Sequence, residues 1–325
     1  MKTVVKRILT LNDTAINDAA DIIKSGGLVA IPTETVYGLG ANALDEDACA
    51  KVYTVKGRPS DNPLIMHISD VAMLDGIAKD IPPVSEKLMQ AFWPGPLTII
   101  LQRKNVPRGT FLDTVAVRMP KNPITLRLLD LAGVPIAAPS ANISGRPSPT
   151  TAHHVLTDLD GKIDMILDGG SCEVGLESTV IDCSGDTPVI LRPGAVTQEM
   201  IEELIGSVDM MTEALKDETP KSPGMKYRHY APNAKVTVVV GEATRAKEKL
   251  EELARSADGK KTKIITAVDM GGSHEDIAAN LFDILRQCDE MGLDEVFIEG
   301  IAEEGLGVAI MNRLKKAASY NIVKV

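Results

Sequence analysis

The chain has 325 residues, of which 44% are hydrophobic, 25% charged and only 3% aromatic, and its formal net charge is −10. This length predicts two domains at about 150 residues per domain, each large enough to bury its own core. The acidic balance and the scarcity of rings argue against a protein whose main task is to bind nucleic acid. Four cysteines in a chain of this length do not indicate a disulfide framework, and because no CxxC pair occurs among them, structural zinc and thioredoxin-type redox chemistry are not expected either.

The hydropathy pattern does not suggest export or insertion into a membrane. The first residues become polar too early for the apolar core of a signal peptide. The longest uncharged stretch, residues 88–102, is about fifteen residues long and contains two prolines, which is too short to span a bilayer. We therefore expect a cytoplasmic protein that makes no membrane contact.

Short apolar runs alternate unevenly with amphipathic segments over the first 206 residues. After Asn12 or Asp13 an apolar face predicts a helix that ends at the glycine pair 26–27, and a buried strand follows at 28–31. Some predicted strands are joined by turns alone, which favours a twisted mixed sheet over regular βα alternation. Further strands are predicted at 64–68, 97–101, 115–119, 136–138, 165–167, 179–182 and 189–191, and further helices at 45–56, 84–91, 123–132 and 199–205.

This pattern breaks at residues 207–233, which contain several prolines and glycines without sustained periodicity, and we predict a linker there. From 234 to 325 the rhythm is regular, which predicts parallel crossovers in a small Rossmann-like, doubly wound domain. Its strands are predicted at 236–240, 263–267, 295–299 and 321–325, and its helices at 244–255, 274–291 and 307–318. The predicted organisation is therefore a domain at 1–206, the linker, and a second domain at 234–325.

The first motif with chemical character is PTETVYGLG at residues 32–40, directly after the predicted strand 28–31. Its hydroxyls, carboxylate and glycines predict a loop that lets a ligand approach the backbone closely. Residues 38–43 also fit the loose dinucleotide pattern GxGxxA, but a Rossmann turn follows its strand immediately and this one does not. The dinucleotide interpretation is therefore weak.

A second motif, KGRPSDNPL at residues 56–64, places two cations two residues apart. Lys56 offers a compact charge and Arg58 a bidentate fork, which together suit phosphate oxygens. Incidental charge on a solvated loop is the alternative. Because a glycine and two prolines fix the backbone of this loop, we regard phosphate binding and incidental charge as equally well supported.

Neutral hydrogen-bonding side chains are concentrated at residues 137–149, where the alternative is a surface loop rich in serine and proline. They are Ser140, Asn142, Ser144 and Ser148. Isolated arginines at strand ends are usually rim charges. If Arg118, Arg192 and the Ser178-Thr179 pair meet at one edge of the sheet, however, they form a concave, positive pocket in an otherwise acidic protein.

Within the linker, the segment SPGMKYRHYAP at residues 222–232 interleaves cations and rings more densely than any other part of the chain. A passive linker is typically rich in Gly, Ser and Glu, so this composition favours a strap that folds over a ligand.

His153, His154 and His274 lie near predicted helix starts, where capping or surface roles are the simpler explanation. Histidines and carboxylates do not occur at the spacing of metal ligands, and we expect no protein-built metal site.

Together these motifs closely resemble the YrdC/Sua5 family in its two-domain form. The resemblance implies a YrdC-like first domain and a Sua5-type second domain. It also implies catalytic roles for the residues of the family's K-x-R…S-x-N signature, which fall on Lys56, Arg58, Ser140 and Asn142. The matching strings are, in chain order, PTETVYGLG, KGRPSDNPL, FWPGPLTIIL, APSANISGRPSPT, GLESTVID, ILRPG and SPGMKYRHYAP.

The resemblance implies that L-threonine, bicarbonate or CO2, and ATP give threonylcarbamoyl-AMP and pyrophosphate, with Mg2+ carried by the ATP phosphates. The product would be handed to a tRNA threonylcarbamoyl transferase complex for N6-threonylcarbamoyladenosine at tRNA position 37, and no stable contact with nucleic acid is expected. The residues implied for threonine are Thr35, His67, Arg118, Ala138 (backbone) and Ser178. Those implied for ATP are Lys56, Arg58, Asn62, Thr114, Ser140, Ser148, Arg192 and Tyr230.

Two other functions stay open at the level of sequence. One is a regulatory protein that binds a nucleotide without turnover, and the other is a module that binds double-stranded RNA, since YrdC domains share a basic concavity with RNA-binding proteins. The completeness of the residues implied for threonine counts against the first. The net charge counts against the second.

Overall fold

The computed structural model describes residues 2–104, 112–211 and 229–325. Most of the predicted strap, residues 222–228, lies outside the described residues, as does the preceding part of the predicted linker from residue 212 onward. The last residues of that linker, from His229 to Asn233, are described and contact both domains.

The first twelve strands form one mixed sheet. They are β1 (Val4–Arg7), β2 (Val29–Ile31), β3 (Gly38–Asn42), β4 (Ile65–His67), β5 (Ala78–Lys79), β6 (Leu97–Arg103), β7 (Thr114–Arg118), β8 (Ile136–Ala137), β9 (Met165–Asp168), β10 (Thr179–Asp182), β11 (Val189–Arg192) and β12 (Asp209–Met210). Their spatial order is β1-β9-β2-β3-β8-β4-β7-β6-β10-β11-β12, with β5 beside β6. Parallel pairs such as β4 with β7 alternate with antiparallel pairs such as β6 with β7, which confirms the predicted mixed sheet.

The helices of this domain pack on both faces of the sheet. They are α1 (Thr14–Lys24), α2 (Glu46–Lys56), α3 (Pro83–Phe92), α4 (Pro123–Ala132), α5 (Ala152–Leu159) and α6 (Gln198–Ile205), with a 3-10 turn at Val71–Gly76. Side chains of β2 alternate between the faces, so that Val29 and Ile31 pack with α1 and α4 while Leu28 and Ala30 pack with α2 and α5. Asp13 caps α1 by accepting from the Ala15 amide at 2.9 Å, as the sequence predicts.

Two parts of this sheet differ from the sequence prediction. Residues 38–40, predicted as part of a ligand loop, open the buried strand β3, so the loop assignment is wrong for them. Because glycine is depleted in strands, the glycines of β3 hide the strand in the sequence. The packing nevertheless requires glycine at position 40, because a Cβ there would lie 2.9 Å from Cγ2 of Ile136. β1 was not predicted because all four of its residues are exposed and no apolar alternation marks it.

The second domain is a four-stranded parallel sheet, as predicted. Its elements are β13 (Lys235–Val240), α7 (Ala243–Ser256), β14 (Thr262–Ile265), α8 (His274–Glu290), β15 (Glu295–Glu299), α9 (Leu306–Ala317) and β16 (Ile322–Lys324). The strand order is β14-β15-β13-β16, and each neighbouring pair is parallel. Across the described ranges, none of the helices has both the length and the apolar character that a membrane crossing requires.

The two domains share a hydrophobic core. Val36 and Leu176 of the first domain and Tyr230 at the linker end belong to the same buried cluster as Phe282 of α8. Gly175 permits this approach, because a Cβ there would lie 2.4 Å from the Cα of Ala279 on α8, and its φ of 72° favours glycine. The second domain therefore closes directly on the loops that precede β3 and β10.

Replacing Gly175 with alanine is expected to lower the free energy of unfolding by about 1–3 kcal/mol, because the new methyl overlaps backbone that cannot move independently. Urea denaturation of the full chain measures this change. Gly185→Ala is the matched control, since a Cβ at Gly185 meets nothing within 4 Å. Equal losses in the two variants would contradict the close approach of α8.

Candidate active site

Three strand ends meet at one place in the centre of the large sheet. His67 and Arg118 are register partners at the ends of the parallel strands β4 and β7. Ser178 immediately precedes β10, and its Oγ lies 2.7 Å from Oγ1 of Thr98 on β6, the antiparallel neighbour of β7. The topology thus brings together residues that are far apart in the sequence.

Two long loops close this region from above the sheet. The backbone amide of Tyr37 donates to Pro149 O at 2.8 Å, and the amide of Ala141 donates to Tyr37 O at 2.8 Å. Gly38 also forms an isolated bridge with Ser140. The threonine-rich motif after β2 and the serine-rich motif after β8 therefore lie side by side, each supporting the other.

Strand ends and loops line a chamber that is partly open to solvent, with about 660 Å³ of non-atom space when the open region is included. The predicted site residues that line it are Thr35, Lys56, Arg58, His67, Arg118, Ala138, Ser140, Asn142, Ser178, Arg192 and Tyr230. Its other lining residues are Thr33, Val36, Gly38, Ile65, Pro139, Ser144, Gly145, Glu177 and His229.

Three predicted residues lie outside this lining. Ser148 is buried directly behind it and donates to Oε1 of Glu177 at 2.5 Å. Asn62 is buried beside Arg58, whose Nε donates to Asn62 O at 3.1 Å. Thr114 begins β7, whereas Arg118 ends it, so the two lie about 13 Å apart at ~3.3 Å per residue. The role of Thr114 toward ATP stays a prediction.

Lys56 is the last residue of α2, and Gly57 follows in the left-handed conformation with φ of 59°, which turns the chain sharply toward Arg58. Only 1% of Lys56 is exposed. Its Nζ donates to the carbonyl oxygens of Ser140 and Asn142, each at 2.5 Å. Burial lowers the pKa of Lys56 well below its usual range, and the positive charge of Arg58 adds to this effect.

Arg58 is fixed by its own loop. Its Nη2 donates to Pro63 O at 2.9 Å, in addition to the bond from Nε to Asn62 O. Burial lowers the pKa of Arg58 to about 10, so the side chain stays charged at neutral pH. The prolines and glycine of the second motif thus hold a cation at the wall of the chamber with its guanidinium already oriented.

Arg118 is held by three partners from two loops. Its Nη2 lies 2.6 Å from Oε1 of Glu34, its Nη1 donates to Oγ1 of Thr35 at 2.8 Å, and its Nε donates to Gly95 O at 3.1 Å. Burial alone would raise the pKa of Glu34, but the charge and hydrogen bond of Arg118 lower it overall. This buried ion pair fixes a guanidinium at the end of β7, where a carboxylate can bind.

Arg192 and Glu177 form the opposite wall. Arg192 donates from Nε to Ser178 O at 3.0 Å and from Nη2 to Ser178 Oγ at 3.1 Å. Burial would raise the pKa of Glu177, but Arg313 and Arg192 outweigh it and the pKa is lowered. Glu177 therefore carries its negative charge inside the chamber and depends on these arginines for compensation.

Tyr230 is buried at the end of the linker and in the left-handed region, with φ of 65°, which is uncommon for a bulky residue. Its ring centroid lies 5.3 Å from that of Phe282 and 5.5 Å from that of His229. The amide of the next residue, Ala231, donates to Gly145 O at 2.9 Å. The described end of the predicted strap is therefore fastened both to the serine-rich loop and to the second domain.

Both histidines of the chamber are neutral. Burial, with Arg118 as the second cause, lowers the pKa of His67 to about 3. Burial, with Arg58 as the second cause, lowers the pKa of His229 to about 3 as well. Each ring can therefore accept a hydrogen bond at physiological pH without adding a positive charge.

These two pKa shifts predict a loss of stability in mild acid. The unfolded chain takes up protons below about pH 6.5, whereas the folded imidazoles resist until about pH 3, so stability is complete above 6.5 and falls as the pH drops. His67 alone is expected to cost about 2 kcal/mol between pH 7 and pH 5. Urea denaturation of His67→Gln should show a shallower pH dependence than the wild type, whereas the control His153→Gln, at an exposed position, should not. Identical slopes in all three proteins would contradict the neutral state of His67.

Within the described chain, several buried polar atoms at or beside the chamber have no hydrogen-bond partner. They are Oδ1 of Asn62, Nδ1 of His67, Oγ of Ser144 and Nε2 of His229. Buried polar groups in proteins are nearly always paired, so a group of unpaired atoms around one cavity indicates a polar ligand.

Sequence analysis did not single out five residues that shape this site. Glu34 was noted only as the carboxylate of the first motif, and Glu177 carries no local pattern that separates it from surface carboxylates. Arg286 and Arg313 had a usable signal, since they fall on the apolar faces of α8 and α9, four residues after Phe282 and three after Ile310. His229 was noted only as part of the strap composition.

Comparisons with known proteins give consistent results. The Sua5/YciO/YrdC family model, described as "Telomere recombination", matches residues 21–194, and the model described as "Threonylcarbamoyl-AMP synthase, C-terminal domain" matches residues 196–319. Threonylcarbamoyl-AMP synthase of Pyrococcus abyssi is 50% identical over 97% of this chain and 97% of its own length. That of Bacillus subtilis is 45% identical over 97% and 96%. The crystal structure of P. abyssi Sua5 complexed with L-threonine has a TM-score of 0.95 and 49% identity, covering 100% of both chains.

Proposed function

The chain belongs to the Sua5/YrdC family of threonylcarbamoyl-AMP synthases, and we propose that the chamber is where it makes threonylcarbamoyl-AMP. L-threonine, bicarbonate and ATP give this product with release of pyrophosphate and water. The observation that carries the proposal is the presence of Lys56, Arg58, Arg118 and Arg192 around one chamber in a protein of net charge −10. Two anionic reactants can approach each other only where such charges screen their repulsion.

One half of the chamber is assigned to threonine, through the following residues: Thr35, His67, Arg118, Ala138 (backbone) and Ser178. Arg118 is the partner for the carboxylate, because its guanidinium is already oriented by Glu34 and by the carbonyl of Gly95. Neutral His67 offers an unpartnered ring nitrogen for a hydrogen bond to the amino acid. The crystal structure of the P. abyssi relative was determined in complex with L-threonine, which supports a threonine site in this chain.

The other half is assigned to ATP, through Lys56, Arg58, Asn62, Thr114, Ser140, Asn142, Ser148, Arg192 and Tyr230. Arg58 and Arg192 supply forked donors for phosphate oxygens, and Lys56 supplies a compact charge. Ser148 and Asn62 lie behind the lining. Ser148 donates to Glu177, and the backbone oxygen of Asn62 accepts from Arg58. The buried ring of Tyr230 covers this half from the linker side.

The chemistry follows from positioning and electrostatics. The threonine amine combines with the one-carbon unit to give a carbamate, one oxygen of which attacks the α-phosphorus of ATP. The bond from that phosphorus to the bridging oxygen of the β-phosphate breaks, and pyrophosphate leaves. Negative charge grows on the α-phosphoryl oxygens and on the leaving group, where the arginines and Lys56 stabilise it.

Magnesium enters this proposal as a companion of ATP. Among the described residues, no group of three or more His, Cys, Asp or Glu side chains is placed to hold a metal ion, and the two chamber carboxylates, Glu34 and Glu177, each engage an arginine. Mg2+ carried by the phosphates supplies charge neutralisation for the departing pyrophosphate. The neutral oxygen atoms beside Lys56 Nζ are the backbone oxygens of Ser140 and Asn142, each at 2.5 Å, and Oδ1 of Asn142 at 3.4 Å.

The wider setting is proposed on the same basis. The division into a catalytic domain at 1–206, a linker at 207–233 and a second domain at 234–325 fits the shared core and the parallel second sheet. The product, a reactive mixed anhydride, requires an acyl transferase to carry its threonylcarbamoyl group to tRNA. We place this hand-off in the cytoplasm.

A product analysis tests the proposed function. The full chain is incubated with ATP, Mg2+, L-threonine and 13C-labelled bicarbonate, and the nucleotide products are identified by mass spectrometry. The expected product is threonylcarbamoyl-AMP that carries the label, and each single omission should abolish it. ATP binding without this product would instead favour a regulatory nucleotide-binding protein.

A further inference from the structure

Two arginines of the second domain are buried against the first. Arg313 of α9 has 0% exposure and Arg286 of α8 has 6%. Burial of a charge is costly unless partners compensate for it. The partners of the two arginines therefore indicate the role of each arginine. All of the partners on the first domain belong to segments around the chamber.

Arg313 joins three such segments. Its Nε lies 3.0 Å from Oε2 of Glu177, and its Nη2 donates to the backbone oxygen of the same residue at 3.2 Å. Its Nη1 donates to Pro193 O at 2.6 Å, directly after Arg192. Its Cζ lies 5.8 Å from the ring centroid of Tyr230, within the range of a cation–π contact.

Arg286 holds the serine-rich loop from the other side. Its Nη2 lies 2.9 Å from Oδ2 of Asp158 and donates to Pro147 O at 2.7 Å. Asp158 also pairs with Arg146 of the same loop at 2.6 Å. The loop that carries Ser140 and Ser148 is therefore tied to α8 through a buried network.

We propose that Arg313 and Arg286 are positioning residues for the nucleotide half of the chamber, so that the second domain completes a site to which it contributes no lining side chain from its helices. This inference rests on the proposed function. Glu177 connects the two domains here, since its Oε1 accepts a hydrogen bond from Ser148 while its Oε2 accepts one from Arg313. Without Arg313, only Arg192 compensates the charge of Glu177, so excess negative charge faces the phosphates of ATP and the partner of Ser148 is no longer held in place.

Steady-state kinetics with both substrates varied tests this role. Arg313→Ala is expected to raise KM for ATP at least tenfold, while KM for L-threonine changes less than twofold. The double variant Arg313→Ala/Glu177→Gln removes the excess charge and should recover at least a third of the lost ATP affinity. Arg286→Ala should also raise KM for ATP, by about threefold to tenfold. Lys247→Ala, at an exposed position of α7, is the control and should match the wild type.

The outcomes separate the possible explanations. A merely structural role would make the double variant no better than Arg313→Ala, and that result overturns the inference, as does an unchanged KM for ATP in Arg313→Ala. If Arg313→Ala does not fold, Arg313→Lys decides, because it keeps the charge and loses the fork: a rise in KM for ATP of about threefold supports the role, and no rise overturns it. A wild-type protein that forms no threonylcarbamoyl-AMP overturns the proposed function itself.

Discussion

Replacing Arg58 with alanine is expected to lower kcat for pyrophosphate release about 30- to 1000-fold. The side chain is held by two carbonyl oxygens of its own loop, so its guanidinium is oriented before the substrate binds. A preorganised charge at a developing phosphoryl anion contributes about 2–4 kcal/mol to the transition state, which corresponds to this range of rates. Quantification of pyrophosphate at saturating ATP, L-threonine and bicarbonate measures the effect.

Arg127→Ala is the matched control for Arg58→Ala. Arg127 is exposed on α4, so this substitution removes the same charge far from the chamber. It should leave kcat unchanged, and both variants should unfold at the same urea concentration as the wild type to within a small margin. An Arg58→Ala protein with the wild-type kcat would show that Arg58 does not contact the reacting phosphate.

Replacing Arg118 with alanine is expected to raise KM for L-threonine at least about thirtyfold. A charged hydrogen bond between a guanidinium and a carboxylate in a buried site contributes about 2–5 kcal/mol, part of which reflects the partner left unpaired. In this protein Arg118 also pairs with Glu34, so its removal leaves the Glu34 carboxylate unpaired, and this carboxylate then repels that of threonine. Initial rates at varied L-threonine and saturating ATP give the value.

Two comparisons separate recognition of threonine from general damage. KM for ATP in Arg118→Ala should stay within about threefold of the wild type, because the nucleotide half is held by other loops. Arg118→Lys keeps a positive charge beside Glu34 and should raise KM for L-threonine by only about tenfold. Equal increases in both KM values would indicate a collapsed chamber, and an unchanged KM for L-threonine would remove Arg118 from the threonine half.

Periodicity and local chemistry predict most of the fold because they act over short distances. The apolar face of α1, the glycine that ends α2 and the alternation of strands and helices after residue 234 are all visible in the sequence. β3 was hidden because its glycines are required by packing: Gly38 lies against Ala138 and Gly40 against Ile136, partners about a hundred residues away. β1 was hidden because its stability comes from pairing with β9 and not from an apolar pattern.

The site could be predicted in part for the same reason. Motifs such as K-x-R and S-x-N keep their cations and hydroxyls close in the chain, so a resemblance to a family can place them. Glu177 acquires its role only when α9 brings Arg313 to it, at a sequence distance of 136 residues. An arginine inside an apolar helix face is a sign of such a contact, but the sequence does not name its partner.

The central claim is that one chamber couples threonine, a one-carbon unit and ATP. Its most direct test is pyrophosphate release by the full chain, measured with each substrate omitted in turn. The account predicts release only when L-threonine, bicarbonate and ATP are all present. Release from ATP at the same rate without L-threonine would contradict it.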